Sequence, residues 1–172
     1  MTSKAARFTA LAIGLCLSAA AHAEAPGCAS PQSRQFDFWV GRWRVSPSDH
    51  PDRQVAESLI EKLYRGCGVR ENWMPLKGGA GGSLSAYVRA DQGWRQTWVD
   101  SDGAFVEFKG GWNGKAMVLT GVWPQPGHPT ELTRMTYTRG AHGSVRQLGQ
   151  VSDDGGRTWG PSFDFTYRRA TG

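Results

Sequence analysis

A chain of 172 residues, 39% hydrophobic and 20% charged, has room for one domain with a real core and too little for two ordinary ones. An aromatic content of 11% excludes a disordered tail, and abundant Gly, Trp, Thr and Ser beside few helix formers point to an all-β fold. The formal charge of +5 comes without a dense Lys/Arg cluster, which argues against nucleic acid as a partner.

Residues 1–23 read as a secretory signal. Lys4 and Arg7 supply positive charge, residues 8–21 form an apolar run too short for a comfortable bilayer span, and Ala21-His22-Ala23 is a small-x-small cleavage site. A lipoprotein anchor is disfavoured, because Leu15 rather than a small residue precedes Cys16. Cleavage after Ala23 leaves residues 24–172 as a single domain, and losing Lys4 and Arg7 takes the charge from +5 to +3. The expected location is the periplasm or the exterior, without stable membrane insertion.

With Cys16 removed, Cys28 and Cys67 remain, and an even pair in an exported chain predicts a disulfide. A two-cysteine metal site is the poorer reading, since no His lies at ligand spacing of either, and no metal or cofactor is implied. Strands are expected at 41–45, 57–65, 69–74, 83–89, 94–100, 104–112, 115–123, 131–138, 144–152 and 162–168. Asp91-Gln92-Gly93, Ser101-Asp102-Gly103 and Asn113-Gly114 are hairpin turns between them. The Gly-rich stretch 77–82 is a loop, and no Lys-Ser/Thr or helix follows to make it a phosphate loop. Connections this short give an antiparallel up-and-down meander, which loses its exposed edges by closing into a barrel of about ten strands.

The turns also set the register. With three-residue Asp-x-Gly loops and a two-residue Asn113-Gly114 loop, Val88 opposes Gln96, Ala86 opposes Trp98, Trp98 opposes Val106 and Phe108 opposes Leu119. Leu84, Ala86, Val88, Trp98, Val106, Phe108, Met117 and Leu119 then share an apolar face, with Gln96 as its polar exception. Arg89, Arg95, Thr97, Glu107, Lys109 and Thr120 share the other. Period-two alternation assigns Val69, Glu71, Trp73, Val145, Gln147, Val151, Phe163, Phe165 and Tyr167 inward, and leaves Arg134 without a face.

Phe36-Asp37-Phe38-Trp39-Val40-Gly41-Arg42-Trp43 resembles the start of a lipocalin-type (calycin) barrel, in which an N-terminal turn covers one end and a Gly-x-Trp opens the first strand. Gly41 and Trp43 match that Gly-x-Trp. The resemblance implies a late Arg packed over the Trp, and Arg168 or Arg169 stands in that place. The chain is also similar to a group of uncharacterised exported bacterial proteins that begin with Phe-Asp-Phe-Trp-x-Gly-x-Trp, a similarity that implies no activity. Residues 152–159 resemble the Asp-box of sialidases, Ser-x-Asp-x-Gly-x-x-Trp. One copy cannot make a propeller, so Asp154 and Trp159 are expected to stabilise a hairpin.

A barrel of this size encloses more volume than its own side chains readily fill, and calycin-like barrels hold a small ligand there. Glu71, Trp73, Gln96, Trp98, Phe108, Trp112, Gln147 and Tyr167 are the candidate lining, apolar walls with a few orienting polar groups. Lack of an Arg-x-Tyr on the last strand points away from an acidic lipid and towards a small, hydrophobic, mostly neutral molecule. Two other readings stand beside this one. In one, Glu71, with Asp100, acts as a general acid or base of an isomerase, cyclase or hydratase in the same cavity. In the other, Gln96 and Gln147 satisfy each other in a filled core, and the domain is an envelope interaction module. His50, His128 and His142 all fall in expected loops, and no nucleophile motif is present.

Overall fold

Short turns between strand-forming runs lay each strand antiparallel to the one before it, and the tenth returns to the first. A computed structural model describes residues 28–170, so the expected signal segment lies outside the described residues. The strands are β1 (Gly41–Pro47), β2 (Ala56–Leu63), β3 (Gly68–Pro75), β4 (Gly81–Val88), β5 (Gly93–Asp100), β6 (Phe105–Trp112), β7 (Ala116–Val122), β8 (Leu132–Arg139), β9 (Val145–Ser152) and β10 (Gly160–Arg169). They form a closed antiparallel barrel in sequence order, with β1 paired to β10. This is the expected all-β architecture, and it agrees with a calycin-like fold. No helix among the described residues is long and apolar enough to cross a membrane.

Up-and-down order sends the loops after odd-numbered strands to one end of the barrel and those after even-numbered strands to the other. The second end is closed by residues 28–40, whose 3-10 turns Gln32–Arg34 and Asp37–Trp39 bury Phe36 and Trp39 completely. The Phe36 ring stacks on Trp39 at 4.8 Å and meets Tyr137 edge-on at 5.0 Å, so the plug reaches well into the barrel. Trp43 Nε1 donates to the Trp39 carbonyl at 2.8 Å. The cation over Trp43 is Arg169, 4.0 Å from the ring, and not Arg168. Alternation along β10 explains the choice, because Arg169 pairs with Trp43 whereas Arg168 pairs with the outward Arg44. Gly41 holds φ at +147°, and a Cβ there would lie 1.7 Å from the Arg169 guanidinium. The Cys28–Cys67 disulfide, with Cα atoms 4.9 Å apart, fastens this arm to the β2–β3 turn.

The pairing of β5 with β6 matches the expected register, Trp98 opposite Val106. Two other turns differ. The β4–β5 connection has four residues, Arg89–Gln92, with Gln92 rather than Gly93 in the left-handed conformation. Val88 therefore pairs with Gly93 instead of Gln96, an offset of three residues, and an odd offset turns the whole strand over. Ser83 and Ser85 are buried, Leu84 points to solvent, and Trp98 faces Ser83 rather than Ala86. At the β6–β7 turn Asn113 faces Ala116 across Gly114-Lys115, so Leu119 pairs with Gly110 rather than Phe108. That offset is two residues, and the faces survive it.

Arg134 faces outward, its guanidinium 4.0 Å from the Trp159 ring and 2.8 Å from Gln150 Oε1. Beneath it the 152–159 hairpin closes on Asp154. Its Oδ1 accepts from the Arg157 and Thr158 amides at 2.9 Å, and its Oδ2 accepts from the Thr158 hydroxyl at 2.7 Å.

Candidate functional site

The plug fills the closed half of the barrel and leaves the other half underfilled. There, β3, β5, β6, β8, β9 and β10 surround a cavity of about 180 Å³ that opens between the odd-strand loops. Its mouth is aromatic. Trp98 and Trp123 lie 6.2 Å apart, Trp73 and Phe165 5.7 Å, and Phe163 stacks on Phe165 at 5.3 Å. Glycines on neighbouring strands make room for these rings. A Cβ on Gly81 would lie 2.5 Å from the Trp98 ring, and one on Gly149 would lie 2.3 Å from Phe163. Asp100 orients Trp98 by accepting its indole N–H at 3.0 Å. The same carboxylate caps the amides of Asp102 and Ala104, and these bonds, the indole foremost, hold its pKa below the usual range. Asp100 is thus an ionised turn residue.

The floor is polar. Glu71, only 5% exposed, accepts hydrogen bonds from Ser58 at 3.0 Å, Ser83 at 3.4 Å and Tyr167 at 3.4 Å. Tyr167 Oη also lies 2.5 Å from Gln147 Oε1, and Gln147 Nε2 donates to Tyr137 Oη at 3.0 Å. Gln96 Nε2 donates to Ser85 at 2.9 Å, a partner that the inverted face of β4 supplies. Burial away from water raises the Glu71 pKa to about 7, against the opposing effect of its three hydroxyl donors. One phenolic hydrogen at Tyr167 cannot serve Gln147 and Glu71 at once. The ionised carboxylate accepts from Tyr167 in competition with Gln147, whereas a protonated Glu71 can donate to Tyr167 and free the phenol to donate to Gln147.

Glu71, Trp73, Gln96, Trp98, Phe108 and Gln147, all singled out by alternation, come together on this cavity. Tyr167 sits behind the floor, bonded to Glu71 and Gln147. Trp112 does not join them. It lies four residues, about 13 Å of strand, beyond Phe108 towards the closed end, where it packs on Phe38 and near Arg139. Phe163 and Phe165, also placed inward by alternation, join the cavity, and Trp123, Met135 and Tyr137 complete the lining without having been singled out. A usable signal existed: Met117, Leu119, Gly121 and Trp123 continue one face of β7, and Thr133, Met135 and Tyr137 alternate along β8 once Thr is accepted as inward.

Outside the cavity, the ligand atoms of His128, Glu131 and Asp153 lie within 4.8 Å of one another beside the open end. His128 and Asp153 are exposed, and the His128 Nδ1 is already 3.0 Å from Asp153. Surface groupings of this kind are common without an ion.

No protein-family model matches the chain, and a search of curated proteins finds no significant relative. Fold and site together define a closed antiparallel β-barrel whose interior can hold a ligand.

Proposed function

We propose that the protein is an exported, lipocalin-like binding protein whose open half holds a small, hydrophobic, mostly neutral molecule. One observation carries this reading: an unfilled cavity with aromatic walls and a few converging polar groups, the usual composition of a small-molecule site. Its volume limits the occupant. About 180 Å³ suits a compound of one or two rings, given that a cavity of about 150 Å³ holds benzene. A drug-sized ligand needs roughly 300 Å³ or more. The Cys28–Cys67 bridge, of a kind that persists in oxidising compartments, supports export to the periplasm or exterior. Underfilling of the barrel favours a carrier over an interaction module with a solid core. The test is uptake of a naphthalene-type fluorophore. Trp98→Ala combined with Gln96→Ala should weaken it by at least about tenfold while the far-ultraviolet β signature persists, and unchanged uptake would overturn the placement.

The pKa of Glu71 favours a second reading, an acid–base enzyme acting on a similar compound. A carboxyl poised near neutrality at a cavity floor can give and take a proton at an acidic carbon. Solvent deuterium entering a bound cyclic ketone, and failing to enter with Glu71→Gln, would establish it. Binding without exchange leaves the carrier.

A further inference from the structure

Resting on the proposal that the cavity is a ligand site, we infer that its occupant carries one basic nitrogen that pairs with Glu71: a small aryl or alkyl amine on an otherwise apolar body. The inference begins with a missing partner. Glu71 is a buried carboxyl whose partners from β2, β4 and β10 are the neutral hydroxyls of Ser58, Ser83 and Tyr167. None of the described residues lining the cavity is basic. Nearby cations are engaged elsewhere. Lys62, on the same face of β2 as Ser58, reaches into the plug at the closed end, where it donates to the Ser33 carbonyl and pairs with Asp37, and Arg70 of β3 pairs with Glu61 on the outer surface. An ionised carboxylate buried without a counterion is costly, and a cation brought in by the ligand removes that cost.

The walls select the same charge. Trp73, Trp98, Trp123, Phe163 and Phe165 offer ring faces and edges around the opening. Aromatic faces carry negative potential, so they attract an ammonium and repel an anion. Among the described residues no competing charge stands at the floor. The titratable groups nearest Glu71 are Tyr137 and Tyr167, and burial raises both well above their ordinary range, so they remain neutral. Size agrees as well, since a benzylamine-sized molecule suits the volume.

The proton balance is definite. An amine that arrives as its free base takes the Glu71 proton and becomes an ammonium beside a carboxylate, with no net exchange with water. One that arrives as an ammonium displaces the Glu71 proton to solvent. Below the Glu71 midpoint of about 7 that release approaches one proton per ligand, and well above it the release vanishes.

The decisive experiment is calorimetry of the wild-type protein with benzylamine, benzyl alcohol and toluene, at roughly pH 6 and pH 8.5, in two buffers of different ionisation enthalpy. Benzylamine should bind at least about tenfold more tightly than benzyl alcohol, releasing nearly one proton at the lower pH and almost none at the higher. Glu71→Gln should abolish that release and bring the affinities for benzylamine and benzyl alcohol to within about twofold of each other. The wild-type comparison is decisive even should the variant misfold. Equal or tighter binding of benzyl alcohol or toluene by the wild-type protein overturns the inference and leaves the carrier standing. Failure of all three probes to bind overturns both.

Discussion

Glu71 concentrates the physical chemistry of the molecule in one side chain. Its folded-state pKa of about 7 exceeds its ordinary value of 4.5, because burial penalises the carboxylate more than Ser58, Ser83 and Tyr167 stabilise it. A raised value means that the folded protein holds this proton more tightly than the unfolded chain. The associated stability is therefore complete below pH 4.5 and is lost as pH rises through about 7, by about 3 kcal/mol in total. Thermal melts of the empty wild-type protein should fall across that window. Glu71→Gln, which keeps an acceptor for the serines and adds a donor for Tyr167, should remove the fall and exceed the wild type in stability above about pH 8; a wild-type profile flat between pH 5 and 8 would refute this account. Alternation of Val69, Glu71 and Trp73 was enough to place this acid inside. Its partners were not legible, because Ser58, Ser83 and Tyr167 lie 13, 12 and 96 residues away in sequence.

Among the elements, the hairpins differ in how much their residues reveal. The 152–159 turn is a local device that reads directly from sequence: Asp154 gathers the backbone amides of Arg157 and Thr158 and the hydroxyls of Ser152 and Thr158. These donors, the Thr158 amide foremost, lower its pKa from 3.8 to about 2. A lowered value gives stability that is present above pH 4 and lost as pH falls towards 2. Asp154→Ala should thus melt at a lower temperature than the wild type at neutral pH, and the two should converge near pH 2. Benzylamine and fluorophore binding should not change, since this turn lies outside the cavity. The β4–β5 connection teaches the opposite lesson. Asp91-Gln92-Gly93 looks like a three-residue loop, yet the chain uses four residues with Gln92 left-handed. That choice puts Leu84 outside and Ser83 and Ser85 inside, where they become partners of Glu71 and Gln96. The three-residue reading assigned Leu84, Ala86 and Val88 to the inner face of β4, and the four-residue loop of the folded barrel puts the opposite face inside.

For the molecule as a whole, the division of the barrel into a plugged half and an open half matters most. The plug of Phe36 and Trp39 is held by the covalent bridge and by the Arg169–Trp43 stack, at the same end. Replacing Cys28 and Cys67 by Ser releases a closure of 39 residues, and loop entropy assigns that a loss of about 4 kcal/mol. Denaturant unfolding should show a drop of about 2–4 kcal/mol with the β signature retained. A loss near zero would mean that the plug is held by packing alone.

From the sequence alone came the ten strands, their antiparallel order, the disulfide pair and most of the inward residues, because alternation and turn chemistry are properties of neighbours along the chain. Closure of the barrel was also expected, but tertiary structure alone decided that Arg169 rather than Arg168 covers Trp43, and that Trp112 lies at the opposite end from the cavity. It also decided how Glu71 is satisfied. Each of these depends on closure of the sheet, which brings together residues far apart in sequence and determines how much of the interior the plug leaves empty.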